Sequence, residues 1–231
     1  LNSCGLATAA IILQAIEWVI ANHVSGPAVA NMSFGVTTDN RMTTLEVAVL
    51  NMITDGITVV AAAGNEALTT CNVIPASVAG VISVAASDQD DKEASFSNYG
   101  TCVDIFAPGV SILSASNGSN VGYALRSGTS MAAPHVVGVV ARYLQGNPTA
   151  TPMQVWDWMS ANATYCSVTS YSQTRLNNSL SRLIQMDAAP GLPCEPQNVT
   201  LSVEGVAATF NWTQPPGSNG SSLIESSVTL S

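Results

Sequence analysis

A chain of 231 residues, 47% hydrophobic and 9% charged, exceeds one typical domain and has enough apolar surface for a large buried core. Six lysines and arginines against 15 acids give a formal charge of −9; this argues against a nucleic-acid partner, whose phosphates attract basic surfaces, and fits a soluble extracellular protein. No uninterrupted apolar run reaches the roughly 18 to 20 residues of a membrane helix; the richest, Leu6 to Ile20, is broken by Gln14 and Glu17 and reads as a buried helix.

Taken in chain order, Ala7 to Asn22 predicts a helix, Ala28 to Phe34 a strand, Thr43 to Asp55 a helix and Ile57 to Ala63 a strand. Val81 to Ala85 and Val103 to Phe106 predict short apolar strands, and Ile112 to Ser116 with Val121 to Arg126 a hairpin across Asn117 and Gly118. A long helix follows from Thr129 to Gln145. Strands alternating with helices imply an α/β fold, a parallel sheet with helices on both faces. Ligands of such sheets sit at the carboxyl ends of strands, where Gly35 and Asn65 fall. After Asp187 the composition changes, giving three parts: 1–187, a linker over 188–195, and a β-rich segment over 196–231 in which polar and apolar residues alternate around Trp212.

The run from Ser127 to His135 places Ser130 where a loop becomes a helix. Small residues around it allow another backbone to approach the hydroxyl, and the amino end of the helix favours developing negative charge. A Gly-Thr-Ser triplet alone is also a common helix cap. Two other segments share its character: Thr58 to Asn65, a buried strand ending in small residues and an amide, and Val29 to Gly35, an apolar strand ending in glycine.

In this order the three resemble the subtilisin-like serine proteases of the proteinase K and aqualysin type, with further matches at Ser95 to Gly100 and Val103 to Gly109. The resemblance covers Leu1 to Asp187 and implies a subtilisin-like sandwich. It assigns Ser130 as nucleophile and the Asn65 amide, with the Ser130 N–H, as the oxyanion site. Ser33, Phe34 and Gly35 are expected to pair with a peptide substrate, and Ala62, Ala63 and Gly64 to form one wall of its primary pocket, with Ile74, Pro75 and Ala76 opposite. Val36 stands where the family carries a second glycine. The triad also needs a histidine and an aspartate, which in this family precede the serine. No His-Gly-Thr-His segment occurs here. His23 reads as a solvated helix end and His135 as a packing residue of the serine motif, so the missing partners are expected upstream of Leu1 in a longer parent.

The same resemblance pairs Cys71 with Cys102, leaves Cys4 for an upstream partner or as a free thiol, and leaves Cys166 and Cys194 to pair with each other. It implies a structural calcium at Asp104 with the carbonyls of Ala79 and Val81, although a lone aspartate beside a strand is also often merely hydrogen bonded. Pro196 to Thr200 and Phe210 to Thr213 resemble the opening strands of a fibronectin type III domain; the tail reads either so or as a disordered polar extension. Sequons occur at Asn31, Asn117, Asn162, Asn177, Asn198, Asn211 and Asn219, of which Asn31 is expected to be buried. Three functions fit: part of a secreted, monomeric serine endopeptidase inactive as this piece alone, a peptide-binding pseudoprotease, or an adhesive module acting through its tail.

Overall fold

Strands buried on both faces need apolar residues at every position, and this requirement selects the centre of the sheet. In the computed structural model, which describes residues 7–37, 43–116, 121–165, 168–170, 182–184, 197–204 and 207–213, β3 (Ile57–Ala62) and β5 (Ile82–Ser87) are buried throughout. They lie between β1 (Ala28–Met32) and β6 (Ile105–Pro108), with β10 (Arg182–Leu183) and β9 (Thr164–Tyr165) beyond, in the order β1-β3-β5-β6-β10-β9. All neighbours run parallel except β10 and β9.

Because side chains alternate along a strand, β3 divides its residues between two cores. Ile57, Val59 and Ala61 pack with Ile16 of α1 (Ala9–Asn22) and Val49 and Met52 of α2 (Thr43–Thr54). Val60 and Ala62 pack on the other face with Val136 and Val140 of α3 (Thr129–Gly146) and Val155 and Met159 of α4 (Pro152–Asn162). Helices therefore cover both faces, and β1 and β3 deliver their carboxyl ends to the amino end of α3. Two antiparallel pairs flank this body, β2 (Val36–Thr37) with β4 (Val73–Ile74), and β7 (Ile112–Ala115) with β8 (Tyr123–Arg126). A further ribbon joins β11 (Gln197–Glu204) to β12 (Ala207–Thr213). No helix among the described residues is long and apolar enough to cross a membrane.

Several expectations shift. The first strand stops at Met32 rather than Phe34, and Val103, though buried, lies outside β6. Helix α4 was not anticipated, yet its start is written in the sequence: Thr151 and Gln154 form a capping box around Pro152. Asn31 is exposed, not buried, because β1 is an edge strand of the sheet and Asn31 alternates with the buried Met32. Cys71 and Cys102 are joined by a disulfide, their Cα atoms 5.1 Å apart. The linker, Cys4, Cys166, Cys194, the Asn117–Gly118 turn and the sequons at Asn177 and Asn219 lie outside the described residues.

His23 is more than a solvated helix end. It caps α1, its Nδ1 lies 2.7 Å from Asp55 Oδ2, and its Nε2 lies 3.0 Å from the Gly26 carbonyl. Two acceptors facing both ring nitrogens favour the imidazolium, so the Asp55 hydrogen bond, then that of Gly26, raises its pKa above the ordinary 6.5. The stabilisation is then fully present below about pH 6.5 and is lost as pH rises through the higher folded-state value. The thermal midpoint of wild type minus that of His23→Gln should therefore be largest at pH 6 and shrink by pH 9. A difference independent of pH over that range would show that the pair is not charged.

Candidate active site

Ser130 is the second residue of α3, so its N–H belongs to the first turn, whose donors have no intrahelical acceptor. Four residues later Pro134 lacks an N–H and cannot bond the Ser130 carbonyl within the helix. The hydroxyl of Ser33, just beyond β1, donates to that carbonyl at 2.9 Å, and the Ser130 hydroxyl donates back to the Ser33 carbonyl at 3.2 Å. The two serines are thereby tied together across 97 residues of sequence.

Asn65 follows β3. Its Oδ1 accepts the Thr129 N–H at 2.8 Å and the Thr129 hydroxyl at 3.1 Å, while the Gly64 N–H donates to the same hydroxyl at 3.2 Å. With its acceptor end committed to the helix, Asn65 keeps its amide donors for another partner, and it lines a cavity beside Ser130. That cavity of about 150 Å³ is bounded by Gly35, Ala62, Gly64, Asn65, Thr129 and Ser130, with Phe34, Thr37, Glu66 and Val73 completing it. One face thus combines a hydroxyl, a helix-terminal N–H and an amide donor, which can present a nucleophile and stabilise an oxyanion.

The loop carrying Asn65 is held from behind. Asn98, 0% exposed, accepts the Glu66 and Leu68 N–H groups on Oδ1, both at 3.0 Å, and donates through Nδ2 to the Ala63 carbonyl at 2.9 Å. Gly64 sits at φ +107° against it; a Cβ there would collide with Asn98 Nδ2 and lie 3.0 Å from its Cγ. The position therefore requires glycine both for its backbone and for space.

The expected walls are only partly assembled. Ala62 and Gly64 line the cavity, but Ala63 points the other way, into a cluster with Ala85, Val103 and Phe106. Val73 contributes to the opposite side, whereas Ile74, Pro75 and Ala76 are buried and do not line it. Gly35 packs where a Cβ would lie 2.8 Å from Val73 Cγ1, and Val36 pairs with Ile74 in the β2–β4 ribbon. Sequence reading missed Thr129, Glu66, Asn98 and Pro134 as contributors. The Ser95 to Gly100 motif was the available signal for Asn98.

Neither histidine serves Ser130. His23 lies before β1, at the opposite end of the sheet. His135, five residues along α3, is turned by roughly 140° about the helix axis from Ser130. It is exposed rather than packed, with Nδ1 2.8 Å from the Met131 carbonyl.

Asp104 lies beside a separate cavity of about 290 Å³, together with Gly80, Val81 and Ile82. Its Oδ2 accepts the Ser83 N–H at 2.8 Å, and burial pushes its pKa up to about 6 despite that bond and the Arg182 charge. A half-buried carboxylate could join main-chain carbonyls in a donor set suited to a hard cation. Among the described residues there is no cluster of three or more His, Cys, Asp or Glu side chains, so any cation here would rely on backbone oxygens. Val81 borders the cavity; Ala79 is exposed and does not line it.

Comparison with known proteins identifies a model of the subtilase family matching residues 2–185. An extracellular serine proteinase of Thermus sp. (strain Rt41A) is 48% identical over 155 residues, 67% of this chain and 37% of the relative. Alkaline serine exoprotease A of Vibrio alginolyticus is 38% identical over 205 residues, 89% of this chain and 37% of the relative. The chain thus spans little more than a third of either relative's length. The crystal structure of a cold-adapted subtilisin-like serine proteinase superposes with a TM-score of 0.73 at 40% identity, over 80% of this chain and 64% of that one. The fold is accordingly subtilisin-like.

Proposed function

The chain belongs to the subtilase family, and on that premise we propose that it is the nucleophile-bearing part of a secreted, monomeric serine endopeptidase of the proteinase K type. The observation that supports this reading is that Ser130 and Asn65 line one cavity, with the Asn65 side-chain oxygen held by Thr129. Residues 1–187 form the peptidase part, 188–195 a linker and 196–231 the start of a fibronectin type III-like unit. The β11–β12 ribbon is consistent with that last assignment.

Ser130 Oγ attacks the carbonyl carbon of a peptide laid along Ser33 to Gly35, and its proton passes to a histidine supplied by chain outside these 231 residues. The carbonyl π electrons move onto oxygen, where the Ser130 N–H and the Asn65 amide receive them. Collapse expels the amine, which takes the proton from the histidine, and water then releases the acyl group. Ala62 and Gly64 leave room for a large side chain and Phe34 and Val73 add apolar surface, with Glu66 the one acidic residue of the lining, so apolar or aromatic side chains should be accepted at the cleavage site. A calcium ion held by Asp104 and neighbouring carbonyls would stabilise the fold and take no part in this chemistry. Chelation should lower the thermal midpoint of wild type but leave Asp104→Asn unaffected; equal sensitivity of both would place any cation elsewhere.

The functional test compares two proteins on a fluorogenic apolar peptide. The parent carrying an upstream aspartate and histidine should turn it over, and the 231-residue chain should not. Turnover by the short chain that disappears in Ser130→Ala would refute an external base.

A further inference from the structure

A catalytic amide is useful only if its loop cannot drift, because a displacement of about 1 Å can cost some hundredfold in rate. We propose that Asn98 is a positioning residue for Asn65, acting with Glu66 as a clamp on the loop from Ala63 to Leu68. The inference rests on the reading of Asn65 as oxyanion donor and names what holds it there.

The argument starts from an accounting of hydrogen bonds. A carboxamide has two acceptor lone pairs and two donors, and Asn98 commits them all: Oδ1 to the N–H groups of Glu66 and Leu68, Nδ2 to the Ala63 carbonyl and to Glu66 Oε2 at 3.0 Å. Its own N–H donates to the Gly64 carbonyl at 3.0 Å. Glu66 Oε2 closes the arrangement by accepting the Asn65 N–H at 2.9 Å. The residues on both sides of Asn65, and its own main-chain N–H, are therefore fixed to Asn98 or to its partner: Gly64 to the Asn98 main chain, Glu66 to the Asn98 side chain and the Asn65 N–H to Glu66. Asn98 does not line the Ser130 cavity, so it acts only through Asn65. Glu66 does line it, and its Oε2 is held by two N–H donors, one from Asn65 and one from Asn98, so the same carboxylate that borders the cavity also ties the loop.

The test uses the full-length protease and separates kcat from KM. Asn98→Ala and Glu66→Ala should each lower kcat by about 10- to 100-fold with KM within about twofold. Glu66→Gln, which keeps an acceptor oxygen, should recover most of the Glu66→Ala loss. On an Asn65→Ala background, neither alanine substitution should slow the enzyme further, since the group being positioned is gone. Asn98→Ala removes a buried side chain; if it does not fold, the exposed Glu66 carries the test alone. Losses that multiply with Asn65→Ala, or that fall on KM, would overturn the clamp. A full-rate Asn65→Ala enzyme would overturn the oxyanion reading itself, whereas a slow Asn65→Ala beside full-rate Asn98→Ala and Glu66→Ala overturns only the positioning role.

Discussion

Ser130→Ala in the full-length enzyme is expected to reduce kcat by roughly 10⁶ while leaving KM within a few-fold, a size carried over from subtilisin. The substitution removes the atom that forms the bond to substrate. It leaves intact the Ser130 N–H and the carbonyl that Ser33 holds, and the lost hydroxyl bond to the Ser33 carbonyl is a single contact in a half-buried place. The fold should therefore survive, with the thermal midpoint shifted by only a few degrees. Steady-state kinetics and a melting curve on the same preparation check both halves. More than about one per cent residual activity would mean that another group is the nucleophile.

Asn65→Ala should lower kcat by about 10² to 10³ with little change in KM, again a value carried over from subtilisin. The reason lies in timing: the amide meets full negative charge only in the transition state, so ground-state binding is spared. Alanine also deletes the acceptor for the Thr129 N–H, which complicates its interpretation. Asn65→Asp resolves this, because it keeps an oxygen for Thr129 and puts a carboxylate where the donor was. It should fold like wild type and be at least as slow. A normal kcat in Asn65→Asp would remove Asn65 from the chemistry.

Much of this was legible in the sequence where neighbours in the chain decide the outcome. The short run from Ile57 to Ala62, rich in β-branched residues and apolar but for Thr58, reads as a buried strand, and the long apolar stretch from Val136 to Leu144 reads as a helix that the small residues before it open. Strand alternation puts the side chains of Ala62 and Ala63 on opposite faces, so only one of the two can turn its methyl group to the pocket. What stayed hidden depends on partners far away. Nothing near His23 announces Asp55, 32 residues on, and nothing near Asn65 announces Asn98. The exposure of Asn31 is hidden for the same reason, because a strand's place at the edge of a sheet is a property of the sheet's order.

The bonds that assemble the site also set when it can exist. Ser33 meets Ser130 across 97 residues, Gly64 meets Thr129 across 65, and Asn98 meets Ala63 across 35. Each is a long loop to close before any local reward, the hallmark of slow, high-contact-order folding. Isolated helix α3 could display Ser130, but not the Asn65 amide or the Ser33 contact. If the proposed function holds, hydrolytic hazard arrives only with the finished topology, and a half-folded chain is not equipped to cut its own exposed segments.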